Sequence, residues 1–130
     1  MIRFQVPGDP TPQPRPRVST RGGFARAYVP ARHPVHAYRQ AVAIAARVAG
    51  MTALADPIRV TVSCVFRRPK SHMTSKGVKA SAPRCPRPDC DNLAKAVLDA
   101  LAEFFDDSLV TTLVVHKAYG DLAYTEVVIE

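Results

Sequence analysis

The chain has 130 residues, 12 of them proline and only 6 glycine, and is 47% apolar, which fits one small domain around a single core. Its 18 basic residues outnumber 11 acidic ones, giving a net charge of +7 that is the expected footprint of a polyanion binder. No stretch approaches the roughly 18 to 20 unbroken apolar residues that cross a bilayer, Met1-Ile2-Arg3-Phe4 lacks the apolar core of a secretory signal, and three cysteines make no disulfide framework, so no membrane role is expected and the cytoplasm is the default.

Ile2, Phe4 and Val6 alternate with Arg3 and Gln5, the period of a half-buried strand that Pro7-Gly8 ends. From Asp9 to Gly23 four prolines and Arg15, Arg17 and Arg21 resist both helix and central strand, so residues 9–23 are expected as a basic loop. Phe24 to Val29 fits a short strand or hairpin arm. Pro34 suits the first turn of a helix and Gly50 its end, and between them Val35, Tyr38, Val42, Ala45, Ala46 and Ala49 recur at helical spacing, which predicts a helix over residues 34–49. Ile58, Val60, Val62, Cys64 and Phe66 alternate with polar residues as the clearest strand in the chain. Residues 68–88 are polar, basic and broken by prolines, a second long loop. A second helix follows Pro88, with Leu93, Ala96, Val97, Ala100, Leu101 and Phe104 on one face and Asp91, Lys95 and Asp99 on the other. Strands near Val110–Ala118 and Ala123–Ile129 finish the chain, joined at Tyr119-Gly120-Asp121 as an expected antiparallel hairpin. This order predicts a single α+β domain, a mixed sheet of about four or five strands with two helices packed on it.

The charge is segregated. Residues 1–50 and 51–88 each carry 8 basic residues and 1 acidic one, whereas residues 89–130 carry 2 basic and 9 acidic. Carboxylates facing a phosphate backbone repel it unless a cation intervenes, so the combination points to metal-assisted phosphate chemistry. Asp89-Cys90-Asp91-Asn92 stands where the basic loop meets the second helix, with Lys95 one turn on and Asp106-Asp107 beyond the helix end. Two such carboxylates with a third from the following strand would suit Mg²⁺ or Mn²⁺, hard ions that activate water and stabilise a phosphodiester's oxygens as it is displaced. The same residues have a plain structural reading: Asp89 as an N-cap, Asp91 and Lys95 as an ordinary i,i+4 pair, and Asp106-Asp107 as a turn.

The run Arg87-Pro88-Asp89-Cys90-Asp91-Asn92-Leu93-Ala94-Lys95-Ala96-Val97-Leu98-Asp99-Ala100-Leu101, followed by Asp106-Asp107-Ser108, resembles the RusA family of Holliday junction resolvases, with its P-D-x-D-N-x-x-K-x-x-x-D-x-L core and trailing D-D pair. Val6-Pro7-Gly8 and Arg15-Pro16-Arg17 further resemble its phage-type members. The resemblance implies that Asp89, Asp91 and Asp107 coordinate Mg²⁺, that Lys95 assists catalysis and that Asn92 and Asp99 support the site. It also implies a homodimer, in keeping with the two-fold symmetry of a four-way junction. The implied reaction is a pair of symmetric nicks leaving 5′-phosphate and 3′-hydroxyl ends, in DNA recombination and repair. The segment between Asp99 and Asp107 is a few residues shorter than the family's and lacks its glycine-containing turn, which leaves Asp106 as a substitute ligand for Asp107.

Arg15, Arg17 and Arg21 in the first loop, with Arg67, Arg68, Lys70, Lys76, Lys79, Arg84 and Arg87 around the second, are the phosphate-contact candidates. Cys85 and Cys90 with His72 or His116 make a poor zinc pattern, and His33 and His36 fit cap or surface roles. The four tyrosines are scattered and suggest no base-stacking platform. Two other functions stay in contention: a non-catalytic basic nucleic-acid-binding module, and a nuclease with the same site that prefers flaps or forks.

Overall fold

Val60, Val62 and Cys64, alternate residues of the predicted central strand, are all buried, and the fold is arranged around them. A computed structural model describes residues 1–130. In chain order it has β1 (Ile2–Pro7), β2 (Arg17–Ser19), β3 (Arg26–Tyr28), α1 (Pro34–Val48), β4 (Ile58–Arg67), β5 (Met73–Thr74), β6 (Gly77–Val78), α2 (Cys90–Ala100), β7 (Val110–Gly120) and β8 (Tyr124–Ile129). The main sheet runs β1-β8-β4-β7; β4 and β7 are parallel and the other pairs antiparallel. β2–β3 and β5–β6 are separate two-stranded ribbons. The result is the expected α+β domain, with a four-stranded mixed sheet and two helices. No helix is long and apolar enough to cross a membrane.

Both helices lie over one face of the sheet, α1 against β1 and α2 against β4 and β7, and they pack on each other. Val35, Tyr38, Val42 and Ala46 of α1 meet Leu93, Ala96 and Val97 of α2 and the inward rows of β1, β4 and β8 in one core. Met51, Phe104 and Phe105 belong to the same cluster, and Phe104 accepts a 2.8 Å bond from the backbone of Leu54. Pro34 opens α1, His33 caps it by accepting from the Val35 amide at 3.1 Å, and Gly50 ends it with φ +89°, a conformation that costs glycine little. The expected helix over 34–49 is therefore present.

Two expectations about strands are corrected. The last two strands do not pair: β4 lies between them, taking β7 on one edge and β8 on the other. Three residues connect them, Asp121 to Ala123. That is enough chain to step over one intervening strand, roughly 10 Å. Gly120 makes the crossing possible, because a Cβ there would lie 2.7 Å from Val65 Cγ1. The basic segments 9–23 and 68–88 are also not wholly loop: the first holds β2, paired with β3, and the second a 3-10 turn at Lys70–His72 and the β5–β6 ribbon. Arg17 and Val18 can be extended because the ribbon is an isolated pair, where proline neighbours interrupt no ladder of the main sheet.

Candidate functional site

The parallel pairing of β4 with β7 requires the chain to return between them, and α2 is that return, so its first turn stands at the C-terminal ends of both strands. Asp89 is the N-cap residue, with extended backbone at φ −73° and ψ 143°. Its carbonyl accepts from the Leu93 amide at 3.1 Å, but its side chain makes no capping hydrogen bond. Asp91, in the first turn, is likewise exposed and unpaired. Acids here are favoured by the positive end of the helix dipole. Backbone geometry thus accounts for the cap position, while both carboxylates are left facing solvent with no protein partner.

Two other segments buttress this turn. The Gln13 amide donates to the Asn92 carbonyl at 2.9 Å, which brings the proline-rich segment carrying Arg15 against α2. Lys117, on the inward row of β7, donates from Nζ to the Pro88 carbonyl at 2.8 Å and so holds the peptide just before Asp89. Lys117 was not among the sequence candidates. Its signal was present: in the row Leu113, Val115, Lys117, Tyr119 a charge interrupts what should be an apolar face.

The other acids lie elsewhere. Lys95 does not pair with Asp91; its Nζ lies 3.9 Å from Asp99, which Arg39 of α1 approaches at the same distance. Asp106 caps a 3-10 turn at Asp107–Leu109, its carboxylate accepting from the Ser108 amide at 2.8 Å, and that bond holds its pKa below the usual carboxylate value. Asp107 is exposed and has no side-chain partner. It precedes β7, whose first residue pairs with Ile58, whereas Lys117, beside Pro88, pairs with Cys64. The seven-residue step from Val110 to Lys117 is roughly 23 Å of strand, so Asp107 stands at the opposite end of the sheet from Asp89 and Asp91. The chain gathers no group of three His, Cys, Asp or Glu side chains able to hold a metal ion. The expected third carboxylate does not join the first two within one chain, because α2 runs antiparallel to the strands it connects.

The basic candidates collect mainly at the Asp89 end. Arg67 ends β4, Arg68 and Lys70 follow it, and Arg87 precedes Pro88. Arg68 is the most constrained: its guanidinium lies 4.2 Å over the Tyr119 ring and donates to the Pro83 carbonyl at 3.1 Å, tying the 68–88 segment to β7. Lys76, Lys79 and Arg84 are exposed along that segment, Asn92 is half-buried in the first turn of α2, and Arg15, Arg17 and Arg21 are exposed on and around β2.

Residues 7–130 match the family described as Endodeoxyribonuclease RusA. The chain is also 35% identical over 136 residues, covering 98% of this chain and 94% of the relative, to the uncharacterized protein YqaN of Bacillus subtilis (strain 168). A basic surface converging on unpaired acids at the head of α2, within a match that spans nearly the whole chain, places this protein in the RusA family of endodeoxyribonucleases.

Proposed function

We propose that this chain is a divalent-metal-dependent endonuclease that resolves four-way DNA junctions by paired nicks, working as a homodimer in the cytoplasm in recombination and repair. The observation that carries this reading is the uncommitted Asp89 carboxylate: a good capping side chain at the cap position makes no cap, and the equally free Asp91 lies two residues on. Hard oxygen donors of this kind suit Mg²⁺ or Mn²⁺. Asp89 and Asp91 would hold the ion. When bound it supplies an activated water and charge stabilisation at the phosphate. Lys95, exposed one turn after Asp91, neutralises charge on the phosphate oxygens, and Arg67 and Arg87 hold the strand on either side. Lys117 fixes the peptide that positions Asp89.

Asp107 takes part in this reading only across a dimer, one copy supplying it to the Asp89–Asp91 pair of the other. The free state of Asp107 and the capping role of Asp106 support that choice of ligand. The separation of Asp107 from Asp89 is also what favours the second reading, a basic module that binds nucleic acid without cutting it. A labelled four-way junction incubated with Mg²⁺ or with EDTA decides between them. Paired nicks that need Mg²⁺ and vanish in Asp91→Asn, with junction binding retained, are the expected result; binding without cleavage in Mg²⁺ and in Mn²⁺ would leave the binding module. Flap and fork substrates run alongside show which branched structure is preferred.

A further inference from the structure

Two cavities run along the C-terminal end of β4. One, of about 590 Å³, is lined by Asp9, Phe66, Arg67, His72, Arg87, Tyr119 and four prolines, and Pro88, the neighbour of Asp89, is one of its walls. The other, of about 560 Å³, shares Asp9, Arg67 and Pro69 with the first and adds Arg68 and Lys70. Each has the volume of a pocket for a small organic ligand.

The chemistry of the first cavity narrows the ligand class. Its walls are flat: the Tyr119 ring is fixed by Arg68 over its face and by His72 edge-on at 5.6 Å, Phe66 lies nearby, and proline rings make up much of the rest. Arg67 and Arg87 put two cations at the wall. Nδ1 of His72 is buried with no hydrogen-bond partner, and an orphaned buried polar atom is costly enough to need one. The proline walls cannot supply an N–H. A planar ring with a hydrogen-bonding edge and an attached phosphate satisfies all three features together. That is a nucleotide.

Building on the nuclease reading, we propose that this cavity receives one unpaired nucleotide of the cut strand, adjacent to the scissile phosphate. Its base lies against the Tyr119 and Phe66 rings, its edge meets His72 once that ring turns its closed-off Nδ1 toward the cavity, and its phosphates meet Arg67 and Arg87. The strand continues into the second cavity past Lys70. Asp9, the only carboxylate in the wall, accepts but does not donate, so it takes an N–H from the edge of the unpaired base.

The test places 2-aminopurine at each position in turn around the branch point of a four-way junction and follows its fluorescence on binding, without metal. One position should brighten several-fold as its base leaves the stack. That signal should be lost in Tyr119→Leu and reduced in His72→Ala, with the melting temperature of each variant showing that it is folded. A junction that is bound and nicked with no brightening position, or with brightening that survives both variants, overturns the cavity proposal and leaves the nuclease reading intact. Brightening without Mg²⁺-dependent nicking overturns the nuclease reading and leaves the cavity as a nucleotide site. Failure to bind the junction overturns both.

Discussion

At the N-terminal end of α2, Asp89 and Asp91 have no side-chain partner, whereas at its C-terminal end Asp99 faces Arg39 and Lys95 and Glu103 is gripped by Arg47. The helix dipole explains the asymmetry. Acids near a C-terminus are disfavoured and need cations close by, while acids near an N-terminus are tolerated without any. The acids beyond the helix split in the same way, Asp106 engaged by the Ser108 amide and Asp107 free. Residue type alone does not mark the candidate ligands; what separates Asp89, Asp91 and Asp107 from their neighbours Asp99, Glu103 and Asp106 is that the fold has not already engaged them.

The largest test of this contrast is removal of the free acids. Asp89→Asn and Asp91→Asn should each lower junction cleavage by at least about a hundredfold, with melting temperature and junction binding near wild type. Leu93→Ala, two residues on and on the buried face, should do the reverse to stability, costing about 2–5 kcal/mol in denaturant unfolding. If Asp91→Asn unfolds the protein as Leu93→Ala does, the acid is structural and the contrast fails.

Mixing subunits sharpens the contrast. If Asp107 serves the partner's site, co-refolded Asp91→Asn and Asp107→Asn subunits regain one intact site per heterodimer, about a quarter of wild-type sites after random assortment. If all three ligands act within one chain, each subunit of the heterodimer is crippled and cleavage stays absent. A milder change is Arg67→Gln, which should weaken junction binding evenly across sequences and reduce the salt slope by about one.

The sequence made legible whatever is local and periodic. α1, α2 and β4 appear where their apolar spacing places them, because each buries one face against the core. The pairing of the last strands was not legible: turn residues at Tyr119-Gly120-Asp121 read the same whether the chain returns beside β7 or beyond β4, and only the pairing of β4 with both β7 and β8 distinguishes them. The candidate acids were legible as types and spacings, but the distance between Asp107 and Asp89 depends on α2 running against the strands. Lys117 and Tyr119 were missed for the same reason, since β7 brings them to Pro88 and to Arg68 and His72 from far along the chain.

The smallest effect separates the adjacent pair Asp106 and Asp107. The Ser108 amide stabilises the charged form of Asp106 in the folded chain, so its pKa lies below the unfolded value. A group lowered on folding adds stability above its unfolded pKa, about 4, and loses it as pH falls through the folded one. Asp106→Ala should therefore lower the melting temperature by about a degree or two at neutral pH, with the difference from wild type shrinking on acidification. Asp107→Asn has no such bond to lose and should leave the melting temperature at neutral pH near wild type, while reducing cleavage about tenfold or more beyond Asp106→Ala. The opposite pattern, with Asp106 controlling cleavage, would mean that the Ser108 bond opens when DNA and metal bind, and that the capped acid is the ligand.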